Sequence, residues 1–329
     1  MKTNRRFLLV IIILSFFLQN CTPQLKTLSI ETMKPSEINF PGDFNKIAFI
    51  NLENDINNDG EIDTILYKLI TSEMALGFRD ASYTAAMIDS SDFLYVKGYP
   101  SNNHFYIQSA INWRYLKNIS GNHADLFIVL DSLNLSMESD QFIIGGYDVP
   151  EYYAYREIAV QAYLKVFDLP NEKMIDQYTY TDTLFWDATA YTLNKLKSQL
   201  PSLEQSIREV SYFAAYDYAN RIFPRWQLET RQYFVSGNED FEKAAELAEE
   251  HQWLEAAELW DKYIQDQDRE LASRANYNMA VASEMLGKLD LALKYAARSY
   301  VIKKKSRTKE YIYILQQRKD ELQQLQQQL

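Results

Sequence analysis

Arg156-Glu-Ile-Ala-Val-Gln-Ala-Tyr-Leu-Lys-Val-Phe167, Asp168-Leu-Pro-Asn-Glu172 and Lys173-Met-Ile-Asp-Gln-Tyr-Thr-Tyr-Thr-Asp-Thr-Leu184 follow one another without a break. In the first and third segments apolar and polar residues alternate. A strand turns successive side chains to opposite faces, so each segment predicts a strand with one dry and one wet face. Pro170-Asn171 supplies turn chemistry at the join, which makes the two an antiparallel pair. Upstream, Asp125-Leu-Phe-Ile-Val-Leu-Asp-Ser-Leu-Asn-Leu-Ser-Met137 starts as an unbroken apolar run and alternates in its second half. It predicts a third long strand that is buried on both faces at one end and wet on one face at the other.

Further upstream, Lys46-Ile-Ala-Phe-Ile-Asn-Leu52 is a short apolar run of the kind found in strands covered on both sides. Ile62, Ile65, Leu66, Leu69, Ile70 and Met74 recur at three- and four-residue spacing, which predicts a helix from about residue 61 to Gly77. Phe93-Leu-Tyr-Val96 predicts a second strand. Ile107, Ala110, Ile111 and Tyr115 predict a second helix after the break at Gly98-Tyr-Pro100. Downstream, Pro201-Ser202 opens a helix, with Ser202 and Gln205 in capping-box spacing and Leu203, Ile207, Val210 and Ala214 on one face. This order gives an α/β domain over residues 46–223, a mixed sheet with helices packed on it. The opening strand, long helix and closing hairpin resemble the α/β domain shared by curli-secretion-channel lipoproteins and the TolB amino-terminal domain.

Residues 224–329 change character at Pro224, where helix formers take over and strand signals disappear. Residues 239–264 align with 275–300 at an offset of 36, pairing Ala244 with Ala280, Trp253 with Leu289, Ala256 with Ala292 and Leu259 with Tyr295. The offset is close to the tetratricopeptide period of about 34 residues, with Gly287 at a turn and His251 in the same place one unit earlier. Small residues let the two helices of one unit cross closely. The expectation is therefore an all-α tetratricopeptide-like helical domain. A last helix from Thr308 caps it through Tyr311, Leu315, Leu322, Leu325 and Leu329, and its Gln-rich tip is a frayed or solvated end.

The start of the chain gives an address. Lys2, Arg5 and Arg6 precede the apolar run Phe7–Leu18, a charged region followed by a core too short to span a membrane comfortably. Cys21, the only cysteine, follows three residues later, and Leu18-Gln19-Asn20-Cys21 resembles the bacterial lipobox, with Gln19 and Asn20 bulkier than its usual pair. That resemblance implies a cleaved signal over residues 1–21, lipid on Cys21 and a Pro-containing tether over 22–45. With the helical repeats, the chain resembles the uncharacterised tetratricopeptide-containing lipoproteins of Bacteroidota. The stretch Thr22-Pro-Gln-Leu-Lys26 carries no acidic cluster of the kind seen in surface-exported lipoproteins of that phylum, which implies an outer-membrane anchor facing the periplasm.

Composition and motifs narrow the chemistry. The chain is 47% apolar and 24% charged, so it folds, and its net charge of −11 is wrong for binding nucleic-acid phosphates. Lipid on the one cysteine leaves none for catalysis or a disulfide. His104, His123 and His251 lack metal-ligand spacing. A Gly-rich phosphate loop, His-Glu-x-x-His, Gly-x-Ser-x-Gly and Ser-x-x-Lys with its supporting motifs are all absent, so no enzyme, cofactor or catalytic residue is expected. Asp55, Asn57, Asp59 and Asp63 match the first part of a calcium loop, but Leu66 stands where the closing acid belongs; the set reads better as the start of a helix. The leading expectation is a membrane-anchored scaffold that binds an envelope protein, with Trp253, Trp260, Tyr263 and Tyr277 as its tentative surface. The alternative is capture of a glycan or peptide by Tyr147, Tyr152, Tyr153 and Tyr155.

Overall fold

The structure is a computed structural model that describes residues 25–38, 44, 46–52, 64–85, 92–96, 106–107, 110–121, 124–145 and 149–328. The signal with Cys21, the calcium-type loop at 55–63, His104, His123 and Tyr147 lie outside the described residues. Two compact units divide the chain: residues 33–226 with 324–329, and the residues before 33 with 227–323.

The first unit is built on a mixed sheet of order β3-β2-β6-β7-β8. The short apolar run is β2 (Ile47–Asn51), an inner strand buried along its whole length and parallel to both β3 (Phe93–Tyr95) and β6 (Leu126–Ile143). β7 (Tyr152–Asp168) and β8 (Lys173–Ala190) continue the sheet antiparallel, in register from Ile143↔Tyr152 and Tyr152↔Ala190 down to their joining turn. In that turn Asp168 accepts from the Asn171 backbone N–H at 2.9 Å and from its amide at 2.7 Å, the Asx chemistry the sequence pointed to. Pairing of β2 with β6 ends at Leu130, next to a bulge. Beyond it β6, β7 and β8 run on as a three-stranded arm.

One face of the sheet is covered by α1 (Thr64–Thr84) and α4 (Leu203–Ile222), whose side chains close a core with Ile158, Val160, Leu164 and Val166 of β7. Phe49 and Phe78 stack obliquely at 5.0 Å, and Tyr218 meets Phe78 edge-on at 6.2 Å. Ser202 caps α4 as expected, accepting from Gln205 N–H at 3.1 Å. Among the described residues the other face is covered only over the parallel part, where α2 (Trp113–Ile119) sets Leu116 and Trp113 against Phe127, Val129 and Phe167. A short helix α3 (Leu193–Gln199) follows β8.

Two helix expectations change. Gly77 does not end α1: buried Phe78, Ala81 and Ser82 extend its apolar stripe for two more turns. The helix expected over 107–115 starts only at Trp113, because the Asn112 side chain caps there, accepting from Tyr115 N–H at 3.1 Å. Ahead of it β4 (Tyr106–Ile107) and β5 (Ala110–Ile111) pair as a small hairpin.

The second unit contains α5 (Glu239–Glu249), α6 (Trp253–Asp261), α7 (Arg269–Met285), α8 (Leu289–Ile302) and most of α9 (Ser306–Gln328). Positions 36 apart share their surroundings: Ala244, Ala280, Ala256 and Ala292 are all fully buried. The turns inside the two helix pairs close alike, with Gln252 N–H on Leu247 O and Lys288 N–H on Ser283 O, both at 2.8 Å.

Strand signals do not disappear after Pro224. β9 (Arg225–Phe234) follows it directly and pairs with β1 (Leu25–Lys34), which occupies the middle of the expected 22–45 tether. β9 is held to α7 by two polar devices. The Asn278 amide accepts from Phe234 N–H at 2.8 Å and donates to its carbonyl at 2.6 Å, completing the strand as a neighbour would. Arg231 forks onto Glu284, with Nε–Oε2 and Nη2–Oε1 both 2.9 Å, and Tyr311 donates to the same carboxylate at 2.6 Å. The Gln-rich end of the chain is also not frayed: Leu325 is buried, and the Gln328 amide accepts from Ser36 N–H at 2.9 Å and donates to Ser36 O at 3.2 Å.

Candidate functional site

Among the described residues no element covers the wet face of the arm past Leu130, and strand register decides which side chains share it. Directly opposite residues point the same way. Phe142, Tyr153 and Thr189 form one cross-strand row, Asp140, Tyr155 and Asp187 the next, and Glu138, Glu157 and Phe185 the third. The aromatic members touch in sequence: Phe142–Tyr153 at 5.0 Å, Tyr153–Tyr155 at 6.4 Å and Tyr155–Phe185 at 5.8 Å, the last pair stacked. Below them the face turns polar, through Ser136, Asn134, Gln161, Thr183, Thr181 and Thr179.

Four carboxylates ring this aromatic strip. Tyr155 donates its hydroxyl to Glu138 at 2.8 Å, and that bond, followed by desolvation, raises the phenol above its usual range. Desolvation and then Asp187 do the same to Tyr153. Both phenols therefore stay neutral donors at physiological pH. Asp140 accepts from the next backbone N–H, that of Gln141, at 2.7 Å. Among the described residues none of Glu138, Asp140, Glu157 and Asp187 has a cationic partner. Glu138 and Glu157 stand directly opposite each other, an arrangement of like charges that costs stability in a sheet. Aromatic faces with negative quadrupoles, framed by unpaired carboxylates, attract cationic groups.

The sequence candidates divide accordingly. Trp253, Trp260 and Tyr277, at 8%, 0% and 3% exposure, are core residues of the helical unit and present no surface. Tyr263 is half-buried and donates to Asp240 at 2.8 Å. Their aromatic spacing reflects helix packing, with Tyr233 against both tryptophans at 6.2 and 6.1 Å. On the arm, Tyr153 and Tyr155 lie on the open face, while Tyr152 packs on the other side with Ala154, Ala190 and Leu196. Phe142 and Phe185 complete the site and carry no local motif; register alone brings them in. Asp182 and Asp187, an odd number apart on β8, point to opposite faces and do not form a pair. Among the described residues no group of three or more His, Cys, Asp or Glu could hold a metal ion.

Residues 80–234 match a family model described as a domain of unknown function (DUF8603), and residues 242–322 match a second, a domain of unknown function (DUF6340). The gap between the two matches runs from the end of β9 into the first turn of α5. No curated protein matches the chain. Among solved structures the chain is similar to a PelC dodecamer from Paraburkholderia phytofirmans, at 12% identity over 60% of this chain and 98% of that one, with a TM-score of 0.25.

Proposed function

We propose that the chain is a lipid-anchored envelope protein without catalytic activity that holds a cationic segment of a partner protein on the open face of its arm. The observation that carries this is the strip of Phe142, Tyr153, Tyr155 and Phe185 among four carboxylates that have no basic partner among the described residues. Exposed aromatics at a surface supply most of the energy where proteins meet, and unpaired acids select the sign of the partner. The anchor is Cys21, supported by the charged and apolar segments ahead of it, and the periplasmic address by the residues after it. The helical unit in this reading is a tetratricopeptide-like scaffold, supported by the 36-residue correspondence of buried alanines and turns.

The test is a photoreactive residue in place of Phe185, irradiated in intact cells. The expected result is a crosslinked protein band that disappears when Phe142 and Tyr155 are changed to Ser, while the variant keeps its circular dichroism. The row of Thr hydroxyls beside the rings favours a second reading, a glycan laid along the same face. A glycan array that retains the chain, with no protein crosslink, selects that reading; neither signal rejects both.

A further inference from the structure

The opposite face of the arm carries a second, chemically different feature. Where β6 and β7 run past the loop between α3 and α4 there is a cleft of about 710 Å³, the size of small-molecule sites. Ser139 and Arg156 are cross-strand partners in its wall, with Gln141 one position along the same face, and Lys197, Ser198 and Ser202 line the facing side. In a chain of net charge −11, this cleft gathers two cations.

Arg156 is held on one side only. Its Nη1 donates to the Pro201 carbonyl and, at 3.1 Å, to Ser206 Oγ. Its Nε is buried and meets no acceptor. Neither Arg156 nor Lys197 pairs with a carboxylate among the described residues. Asp140 also borders the cleft, but its pairing with Tyr155 sends its side chain to the aromatic face. A buried donor without an acceptor is costly, and structures keep few of them without cause. The Nε–Nη2 edge of a guanidinium is the fork that takes two oxygens of one carboxylate or phosphate. Ser202 caps the first turn of α4, a 20-residue helix whose N-terminal end adds a further positive potential.

We propose that this cleft binds a small oxyanion-bearing ligand, a carboxylate or a phosphate, paired with the Arg156 guanidinium, with Lys197 as second cation and the Ser139 hydroxyl and Gln141 amide as flanking donors. Arg156, Ser139 and Gln141 lie on the other face from the aromatic strip, with Tyr155 and Asp140 at the border of both, and the proposal does not rest on the partner reading.

Isothermal titration calorimetry of the full chain in detergent, with inorganic phosphate in one arm and glucuronate in the other, tests it. Binding of either probe is expected, the responding probe naming the ligand class, and Arg156→Lys, which keeps the charge but loses the fork, should weaken it at least tenfold. Because Arg156 also holds the α3–α4 loop, Lys197→Glu serves as a second variant at an exposed position; it should abolish binding with circular dichroism unchanged. Arg208→Ala, outside the cleft, should bind like the parent. No heat from either probe at millimolar concentration, or binding indifferent to Lys197→Glu, overturns the proposal.

Discussion

His251 and Gly287 stand 36 residues apart at matching turns, and both take left-handed backbone, with φ of 61° and 73°. Glycine adopts that conformation freely; for other residues it costs roughly 1–2 kcal/mol. A Cβ added at Gly287 would meet nothing within 4 Å, so Gly287→Ala tests the backbone term alone. It should lose about 1 kcal/mol, the strain being partly offset by a stiffer unfolded chain. His251→Gly should move the other way by a similar or smaller amount. Urea denaturation checks both, as midpoint shifts of opposite sign with unchanged slope. The sequence alignment placed His251 at the glycine position of the unit; the sign of its φ was not legible, since a histidine there reads equally as a misalignment. Less legible still was the Arg231–Glu284 pair, because residues 53 apart and buried together leave no local pattern.

At the scale of elements, periodicity was readable wherever one face is dry. The three arm strands and α4 show it, but at the tip of the arm each strand runs about four to six residues beyond the alternation in 125–137, 156–167 and 173–184. β1 and β9 escaped because a two-stranded sheet leaves apolar side chains in water, as with Trp226 at 51% and Leu228 at 65% exposure, and because the partners lie almost two hundred residues apart. Half the candidate site was legible, as a Tyr-dense stretch. Tyr153 and Tyr155 precede the strand expected from Arg156, so their common face, like the entry of Phe142 and Phe185, follows only from the longer strands and their register.

Gly77 illustrates a residue whose meaning is set by a neighbouring element. Read locally it is a helix stop, but in α1 a Cβ there would lie 2.4 Å from the Tyr212 carbonyl and 3.0 Å from the Ala215 Cβ, both on α4. Its smallness sets how closely the two helices pack. Gly77→Ala gains helix propensity of about 1 kcal/mol, but overpacking against a backbone atom costs typically 1–3 kcal/mol. Because backbone cannot rotate away as a flexible side chain could, net destabilisation of about 1–2 kcal/mol is expected. Thermal melts followed by circular dichroism check the sign. A stabilised Gly77→Ala would mean that α1 and α4 do not pack as described.

For the whole molecule, the proposed lipid anchoring has an electrostatic side. Among the described residues no helix is long and apolar enough to cross one. Residues 1–21 carry Lys2, Arg5 and Arg6 and no acid, so the remainder of the chain carries −14. An anionic bilayer surface repels such a charge within about a Debye length, and the open acidic face of the arm adds to that repulsion. In the proposed anchoring, the acyl chains on Cys21 therefore supply the membrane affinity against this net repulsion, which the basic run Lys303-Lys304-Lys305-Ser306-Arg307 relieves only in part, since Lys303 and Lys305 pair with Glu270. Each buried methylene contributes about 0.8 kcal/mol, so several chains make release negligible. Cys21→Ser should consequently release the chain into the soluble envelope fraction at physiological salt, where adhesion through the basic run is screened. Fractionation of cells grown with a labelled fatty acid checks it: label and membrane retention should vanish together. Retention of the unlabelled Cys21→Ser chain in the membrane fraction would show that an apolar surface or a bound partner holds it there, and would shift the anchoring role to the folded units.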